Sequence, residues 1–383
     1  MKPNIIFVLL DGSRWDRVNH SPEFNELLNE GTFLNNVTAA IPYTIGSVNA
    51  LFTGLYGKEN GIDAYYKMFR LKDSVKVLPE VLKEQGYFTA CDLLSEKIVS
   101  KRGYDIHQFH DEFKDDLTKR HPKFISDCLE KAADKPLFLF LHFTRIHTVT
   151  VSEILKKYEW DNKEFYDKKE DNLANYDKTF LEAGSYSKLI KNTIKDLGIL
   201  NNTVLIFFSD HGDMHGSHGQ FLKTAPWEEA IRVPCILGGG RRYEMKAGNR
   251  VDAPINHVDM APTSLGLCGI EVPDWMPGTD YSHYRVGTSN NVTEPDSAFL
   301  QLVIPTGHAD SIDRPWRGIV TRDRWKYVVL EGQPWMMFDI NSDPYELVNL
   351  VFNSRYSRER ARLHERLATW VDDTGDVFDL PVI

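Results

Sequence analysis

Cysteine is scarce in this sequence: Cys91, Cys128, Cys235 and Cys268 are the only four in 383 residues, and none has CxxC spacing. That excludes a disulfide scaffold and the common structural zinc motifs, and it fits buried, reduced thiols of a cytosolic protein. Long hydrophobic runs are missing too. The apolar Ile5–Leu10 behind Met1-Lys2-Pro3-Asn4 is too short for a signal core or a membrane span. A cytoplasmic protein without a membrane span is therefore expected. There is no excess of positive charge, since 45 Lys and Arg stand against 55 Asp and Glu, a formal charge of −10. Such a surface gains nothing from a phosphate backbone, so nucleic acid is not an expected partner. Internal repeats and low-complexity runs are also lacking. Nothing in the sequence sets an oligomeric state.

What is there reads as an ordinary globular chain, with 42% hydrophobic and 26% charged residues. Its length suits one large α/β domain and a smaller appendage. Asn4–Leu10, Leu137–Phe143 and Val204–Phe208 are unbroken apolar, β-rich runs, as strands buried on both faces should be. Phe88–Leu94 and Pro234–Leu237 are weaker strands. Val77–Gln85 and Asp171–Leu197 have helical spacing, the second with a stripe of Leu173, Tyr176, Phe180, Ala183, Ile190, Ile194 and Leu197 ahead of Gly198. Strands separated by helices predict a mostly parallel central sheet with helices on both faces. After about Ser282 the character changes. Ala298–Val303, Gly318–Thr321 and Lys326–Leu330 read as antiparallel strands and Arg355–Val371 as a terminal helix. The expected division is 1–285, catalytic, and 286–383, a small C-terminal subdomain. The polar stretch Lys156–Asn172 reads as an exposed excursion.

Asp11 follows the first apolar run directly, and Asp210-His211-Gly212 follows Val204–Phe208. Acidic groups at the carboxyl ends of parallel strands converge where open α/β sheets bind ligands. Two carboxylates with an imidazole suit a divalent cation: Mn²⁺, Ca²⁺, Mg²⁺ or Zn²⁺. The plainer alternative is a turn cap at Asp11 and a polar loop at Asp210-His211.

Pro3 through Asp11 resembles the opening of sulfatases, members of the alkaline phosphatase superfamily, including their first metal aspartate. Ser209-Asp210-His211-Gly212, Gly216-Ser217-His218-Gly219 and Lys223 are similar to their SDHG…GEHG…K block. Trp227-Glu228-Glu229 through Arg232-Val233-Pro234, Pro136–His147, His257-Val258-Asp259 with Pro262-Thr263, and Asp339 through Asp343-Pro344 with Asn349-Leu350 match later family segments in order. The resemblance spans nearly the whole chain. It implies the alkaline-phosphatase-like fold and one divalent ion, Mn²⁺ or Ca²⁺ first, on Asp11, Asp210, His211 and the Thr44 hydroxyl. By the same resemblance His147 and Lys223 attend the leaving group and the non-bridging oxygens. His218 would be a substrate-side or supporting group, and Arg14 an anion-binding or structural one. His107, His110 and His142 read as core or surface residues. No further Asp/His/His set suggests a second ion.

Three departures from the family pattern bear on the chemistry. Where sulfatases carry C/S-x-P-S-R before an ALLTG-like stretch, this chain has Thr44-Ile45-Gly46-Ser47-Val48 before Ala50–Gly54. Thr44 thus holds the nucleophile position and cannot become formylglycine, and Val48 replaces the arginine. The paired aspartates become Asp11-Gly12. Leu94-Ser95-Glu96-Lys97 replaces GKWH, with its sulfate-gripping lysine and histidine. A substituted threonine is released only by attack on the transferred atom itself, which phosphorus supports by two in-line displacements. Thr44 also begins a predicted helix, whose free N–H groups favour an anion; the alternative is that it merely caps that helix. The leading expectation is a phosphodiester, phosphonate or phosphate ester hydrolase or a transferase, acting on a small-molecule or glycan-linked anionic ester. A sulfuric ester hydrolase and a catalytically silent binding member of the family are the alternatives. Gly61–Arg70, Lys156–Asn172 and Thr306–Trp316 are expected to shape the substrate pocket.

Overall fold

The structure is a computed structural model and describes residues 2–62, 70–158, 163–240, 247–287, 292–303, 312 and 314–383. Among these residues nine strands make the main sheet. In chain order they are β1 (Asn4–Leu10), β2 (Thr32–Thr38), β3 (Phe88–Leu93), β4 (Ile106–Phe109), β5 (Leu137–Phe143), β6 (Thr203–Phe208), β7 (Arg232–Gly239), β8 (Asn249–Val251) and β9 (Ile255–Asn256). Their lateral order is β4-β3-β5-β1-β6-β7-β2-β8, with β9 also on β2. Strand β7 runs against both of its neighbours, and the other pairs are parallel.

The apolar run of β1 is buried along its whole length because each face meets a different layer. Ile5, Phe7 and Leu9 pack with Val48, Leu51 and Phe52 of the helix Thr44–Thr53 and with Leu78 and Leu82 of Leu78–Glu84. Ile6, Val8 and Leu10 face Phe24 of Pro22–Glu30, Phe124 of Leu117–Ala132, and Tyr176, Phe180 and Ile190 of Lys169–Asp196. Helices therefore cover both faces, as the alternation of strand and helix predicts.

A second, antiparallel sheet is built from β10 (Ser297–Leu302), β11 (Trp316–Thr321), β12 (Trp325–Leu330) and β13 (Gln333–Asp339) in that order. The helix Ser357–Asp373 buries Leu363, Leu367 and Val371 against it. This sheet shares a core with Ala40, Ile41, Tyr43 and Ile45, the approach to the Thr44 helix. The backbone N–H of Gln301 also donates to the Ala40 carbonyl at 2.9 Å. The two sheets thus brace Thr44 from both sides.

The excursion expected at Lys156–Asn172 is partly corrected. Lys163–Asp167 is helical, and Phe165 is buried against Tyr158 and Phe221. An aromatic side chain with two aromatic partners overrides the polar composition around it. Of the segments expected to shape the substrate pocket, residues 63–69, 159–162, 306–311 and 313 lie outside the described residues.

Candidate active site at the strand ends

Asp11 leaves β1 with its backbone N–H on the Phe143 carbonyl at 3.2 Å, and Asp210 and His211 follow β6. All three are buried, and one ligand atom from each lies within 4.8 Å of the others. Each is pinned through its outer atom. Asp11 Oδ2 is 2.9 Å from His142 Nε2, Asp210 Oδ1 accepts the Gly12 N–H at 3.2 Å, and His211 Nδ1 is 2.8 Å from the Gly212 carbonyl. The inner atoms face each other. His211 Nε2 lies 3.6 Å from Asp11 Oδ1, 3.3 Å from Asp210 Oδ2 and 3.2 Å from Thr44 Oγ1.

Asp11 Oδ1 and Asp210 Oδ2 are buried with no hydrogen-bond donor. Bare carboxylate oxygens away from water are costly, and two aimed at each other more so. Burial and the charge of Asp11 push the Asp210 carboxyl up to about 6. Burial also opposes ionisation of Asp11, but the charge of His147 and the hydrogen bond from His142 hold its carboxyl well below the usual range. Burial and Lys223 push His211 down to about 3, so its imidazole is neutral. With Nδ1–H on a carbonyl, its Nε2 lone pair points at the carboxylates, the form that binds a metal. The residues present therefore fit a divalent cation, held by Asp11, Asp210 and His211 with the Thr44 hydroxyl beside them.

Thr44 is half-buried in the first turn of its helix. Ser47, one turn on, clamps that helix to the strand end. Its Oγ donates to the Asp210 carbonyl at 2.7 Å and lies 2.5 Å from His257 Nδ1, while His257 Nε2 lies 3.1 Å from the Ser209 carbonyl.

His147 and Lys223 complete the group. Burial works against protonation of His147, yet Asp11 and Glu112 raise its pKa above the ordinary value. Its Nδ1 is 3.5 Å from Glu112 Oε2, an oxygen that also accepts from Thr148 Oγ1 at 2.6 Å. Lys223 is buried and acts electrostatically on Asp210, His211 and His147. Leu222 and Thr224 on either side have φ of 64° and 70°, left-handed values that such side chains rarely adopt. Thr224 N–H on the Pro42 carbonyl at 3.0 Å, and Met214 N–H on Leu222 at 2.8 Å, hold this strained turn against the approach to Thr44.

Other expected residues lie elsewhere. Arg14 is buried, with Nε and Nη2 on Asp16 at 2.9 and 2.8 Å and Nη1 on the Asp213 carbonyl at 3.1 Å, so of its two readings the structural one applies. His218 stacks on Trp227 and contacts the Tyr345 carbonyl at 3.1 Å. His142 and Glu112 are site residues that sequence reasoning missed. The expectation of no further Asp/His/His set is corrected as well: Asp92, His110 and His121 come together, all buried. Arg120 Nε lies 2.6 Å from Asp92 Oδ2, and His110 Nδ1 lies 3.1 Å from Asp92 Oδ1. Arg120 already balances the one carboxylate, so a divalent ion there would leave buried positive charge uncompensated. The group is an ion network.

A family model described as Sulfatase matches residues 3–270. The chain belongs to the sulfatase family. A second family model, of the N-sulphoglucosamine sulphohydrolase C-terminal region, matches residues 216–373. The ulvan-active sulfatase of Formosa agariphila is 31% identical over 195 residues, covering 50% of this chain and 37% of that protein. An arylsulfatase of Clostridium perfringens is 32% identical over 168 residues, covering 44% and 33%. The match thus spans about a third of these relatives' own length. Among solved structures, a 2-O GAG sulfatase superposes with a TM-score of 0.83 at 17% identity, covering 98% of this chain and 93% of that one. The phosphonate monoester hydrolase of Agrobacterium radiobacter gives 0.80 at 16%, covering 97% and 96%. At these identities the likeness is one of fold. It establishes the sulfatase architecture of a mostly parallel sheet with an antiparallel C-terminal sheet.

Proposed function

We propose that this sulfatase-family chain hydrolyses anionic esters in a metal-dependent reaction, and that the Thr44 hydroxyl takes up the transferred group. One observation carries the reading: Thr44 Oγ1 stands 3.2 Å from His211 Nε2, beside the bare oxygens of Asp11 and Asp210. Asp11, Asp210, His211 and Thr44 would hold a divalent ion, which would supply a lowered hydroxyl pKa and charge neutralisation for the ester oxygens. The Thr44 helix presents free backbone N–H groups to the same anion. His147, its proton favoured by Asp11 and Glu112, is placed to donate to the leaving oxygen. Lys223 offsets charge on the non-bridging oxygens.

The comparisons favour a sulfuric ester over the phosphoester expected first. Both relatives above are sulfatases, and another neighbour was solved with D-glucosamine-2-N,6-O-disulfate as its substrate, which supports a glycan-linked ester here. Thr44 itself supports a second reading. An unmodified threonine ester has no internal exit, so water or an alcohol must attack the transferred atom, and phosphorus chemistry accommodates that step. Turnover of an aryl sulfate, an aryl phosphodiester and an aryl phosphonate should be measured with wild type and Thr44→Ala, with acid-quenched mass spectrometry of the Thr44 peptide. Faster sulfate turnover upholds the first reading, and a diester or phosphonate advantage of at least ~10-fold, about 1.4 kcal/mol, the second. Full activity in Thr44→Ala would sink both. A cytoplasmic location belongs to the same proposal and draws support from four buried thiols without a disulfide. Fewer than four reactive thiols after denaturation without reductant would count against it.

A further inference from the structure

We propose that His142 is a positioning residue for the metal site: it holds the Asp11 carboxylate so that Oδ1 faces the ion, and thereby sets the ion's affinity. The inference rests on Asp11 being a ligand. His142 is the one strongly polar side chain in the otherwise apolar run of β5, fully buried and paired in register with Leu9 of β1. A buried imidazole gains most where both nitrogens find partners, since an unpaired buried polar group is costly. Here Nδ1 accepts the Leu94 N–H at 3.4 Å and Nε2 lies 2.9 Å from Asp11 Oδ2. Those two contacts define the tautomer. A proton on Nδ1 would meet the Leu94 N–H and turn the Nε2 lone pair on a carboxylate, so Nε2 carries the proton and donates it to Asp11.

The three ligands are not held alike. Main-chain groups fix the other two, through Gly12 N–H on Asp210 and the Gly212 carbonyl at His211. Among the described residues, the Asp11 carboxylate has a hydrogen bond from His142 alone, and its Oδ1 has none. Without the imidazole, the carboxylate is free to turn about its last torsion and a second buried oxygen loses its donor. The ligand geometry at Asp11 therefore depends on one side chain, and that side chain depends on the Leu94 backbone. The segment that replaces the family's sulfate-gripping residues thus serves the metal through its main chain.

The test is calorimetric titration of the full-length protein, stripped of metal, with Mn²⁺. His142→Phe keeps the ring volume and removes both hydrogen bonds, and it should weaken Mn²⁺ binding by about 10–100-fold. His142→Gln places an amide N–H near the position of Nε2 and should restore at least half of that loss on a logarithmic scale. A structural role alone would predict no such rescue. Mn²⁺ binding by His142→Phe within twofold of wild type, with Asp11→Asn having lost it, would overturn the inference and leave the site intact. Unaltered binding by Asp11→Asn as well would overturn the site reading, and the inference with it. If His142→Phe does not fold, two-bond ¹⁵N–¹H correlations on the wild type settle the matter, since an Nδ1–H tautomer at His142 contradicts the proposal and Nε2–H upholds it.

Discussion

Replacing Asp210 by asparagine should make the metal-free protein more stable and deprive it of the stability that metal gives the wild type. Asp210 is buried, its Oδ2 has no donor, and burial together with Asp11 raises its carboxyl to about 6. In an unfolded chain the same group titrates near 3.9. The folded state therefore binds this proton more tightly, and ionising Asp210 costs the fold. The cost is complete above pH about 6 and disappears as the pH falls through about 4. A gap of about two units corresponds to a load on the order of 3 kcal/mol at pH 8. Asparagine keeps an oxygen for the Gly12 N–H and offers Asp11 Oδ1 a donor in place of a charge. In chelator, denaturant unfolding should show Asp210→Asn ahead of wild type at pH 8 and level with it near pH 4. Mn²⁺ at about 100 times its Kd should then stabilise wild type by about 2.7 kcal/mol and the variant hardly at all. If the chelated variant is less stable than wild type at pH 8, the pair of bare carboxylates is not the electrostatic load argued here.

Three other outcomes follow from the packing. Lys326 is fully buried with its Nζ on the Pro226 carbonyl at 2.8 Å, on Glu228 at 3.3 Å and on Glu346, so Lys326→Met leaves the buried Glu346 without a cation while Glu228 keeps Arg324; equilibrium unfolding should show a loss of about 3 kcal/mol. Lys223→Ala should lower kcat/KM by about 10²-fold or more with little change in Tm, because Lys223 serves charge at the reacting centre; a loss confined to Tm would contradict that role. Burial pushes His121 down to about 3, so it is neutral in the fold and protonates near 6.5 once unfolded. Its contribution is complete above pH 6.5 and is lost as the pH falls toward 3. The stability of wild type relative to His121→Gln should accordingly grow by about 1 kcal/mol per pH unit between pH 4 and 6, as urea titrations at each pH would show.

Burial on two faces is what made part of the fold legible. Strands β1, β5 and β6 announce themselves because no alternation is needed when helices cover both sides. Strand β2 did not, since Asn35 and Asn36 interrupt it. Those amides are buried through Arg232, Arg250 and Asp252, partners about 200 residues away that no local pattern reveals. Asp11, Asp210 and His211 are readable because Asp11 directly follows one apolar strand and the other two come within three residues of the end of another. Glu112 was not, for its contact with His147 crosses 35 residues and two elements. His142 does carry a signal: an imidazole inside a buried apolar strand is costly without a partner, and the nearest ligand carboxylate is an obvious one.

The loss of the family's second aspartate has a local explanation that bears on how the site works. Gly12 has φ of 78°, a left-handed conformation that costs glycine nothing and strains most other residues. Space is not the constraint, because a Cβ there would meet Ile146 and His211 only at ordinary contact distances of 3.9 and 4.0 Å. The backbone turns this way for another purpose: it aims the Gly12 N–H at Asp210 Oδ1, while Tyr176 Oη donates to the Gly12 carbonyl at 2.8 Å. An aspartate at this position would bring a third negative charge beside two carboxylates that already face each other, in a turn that penalises any side chain. The chain has instead exchanged a ligand for a donor that orients one. Two carboxylates and a neutral imidazole just neutralise a divalent ion, leaving the positive field of Lys223 and His147 for an anionic ester. That division of charge would let a site with fewer acidic ligands hold a metal and an anion together.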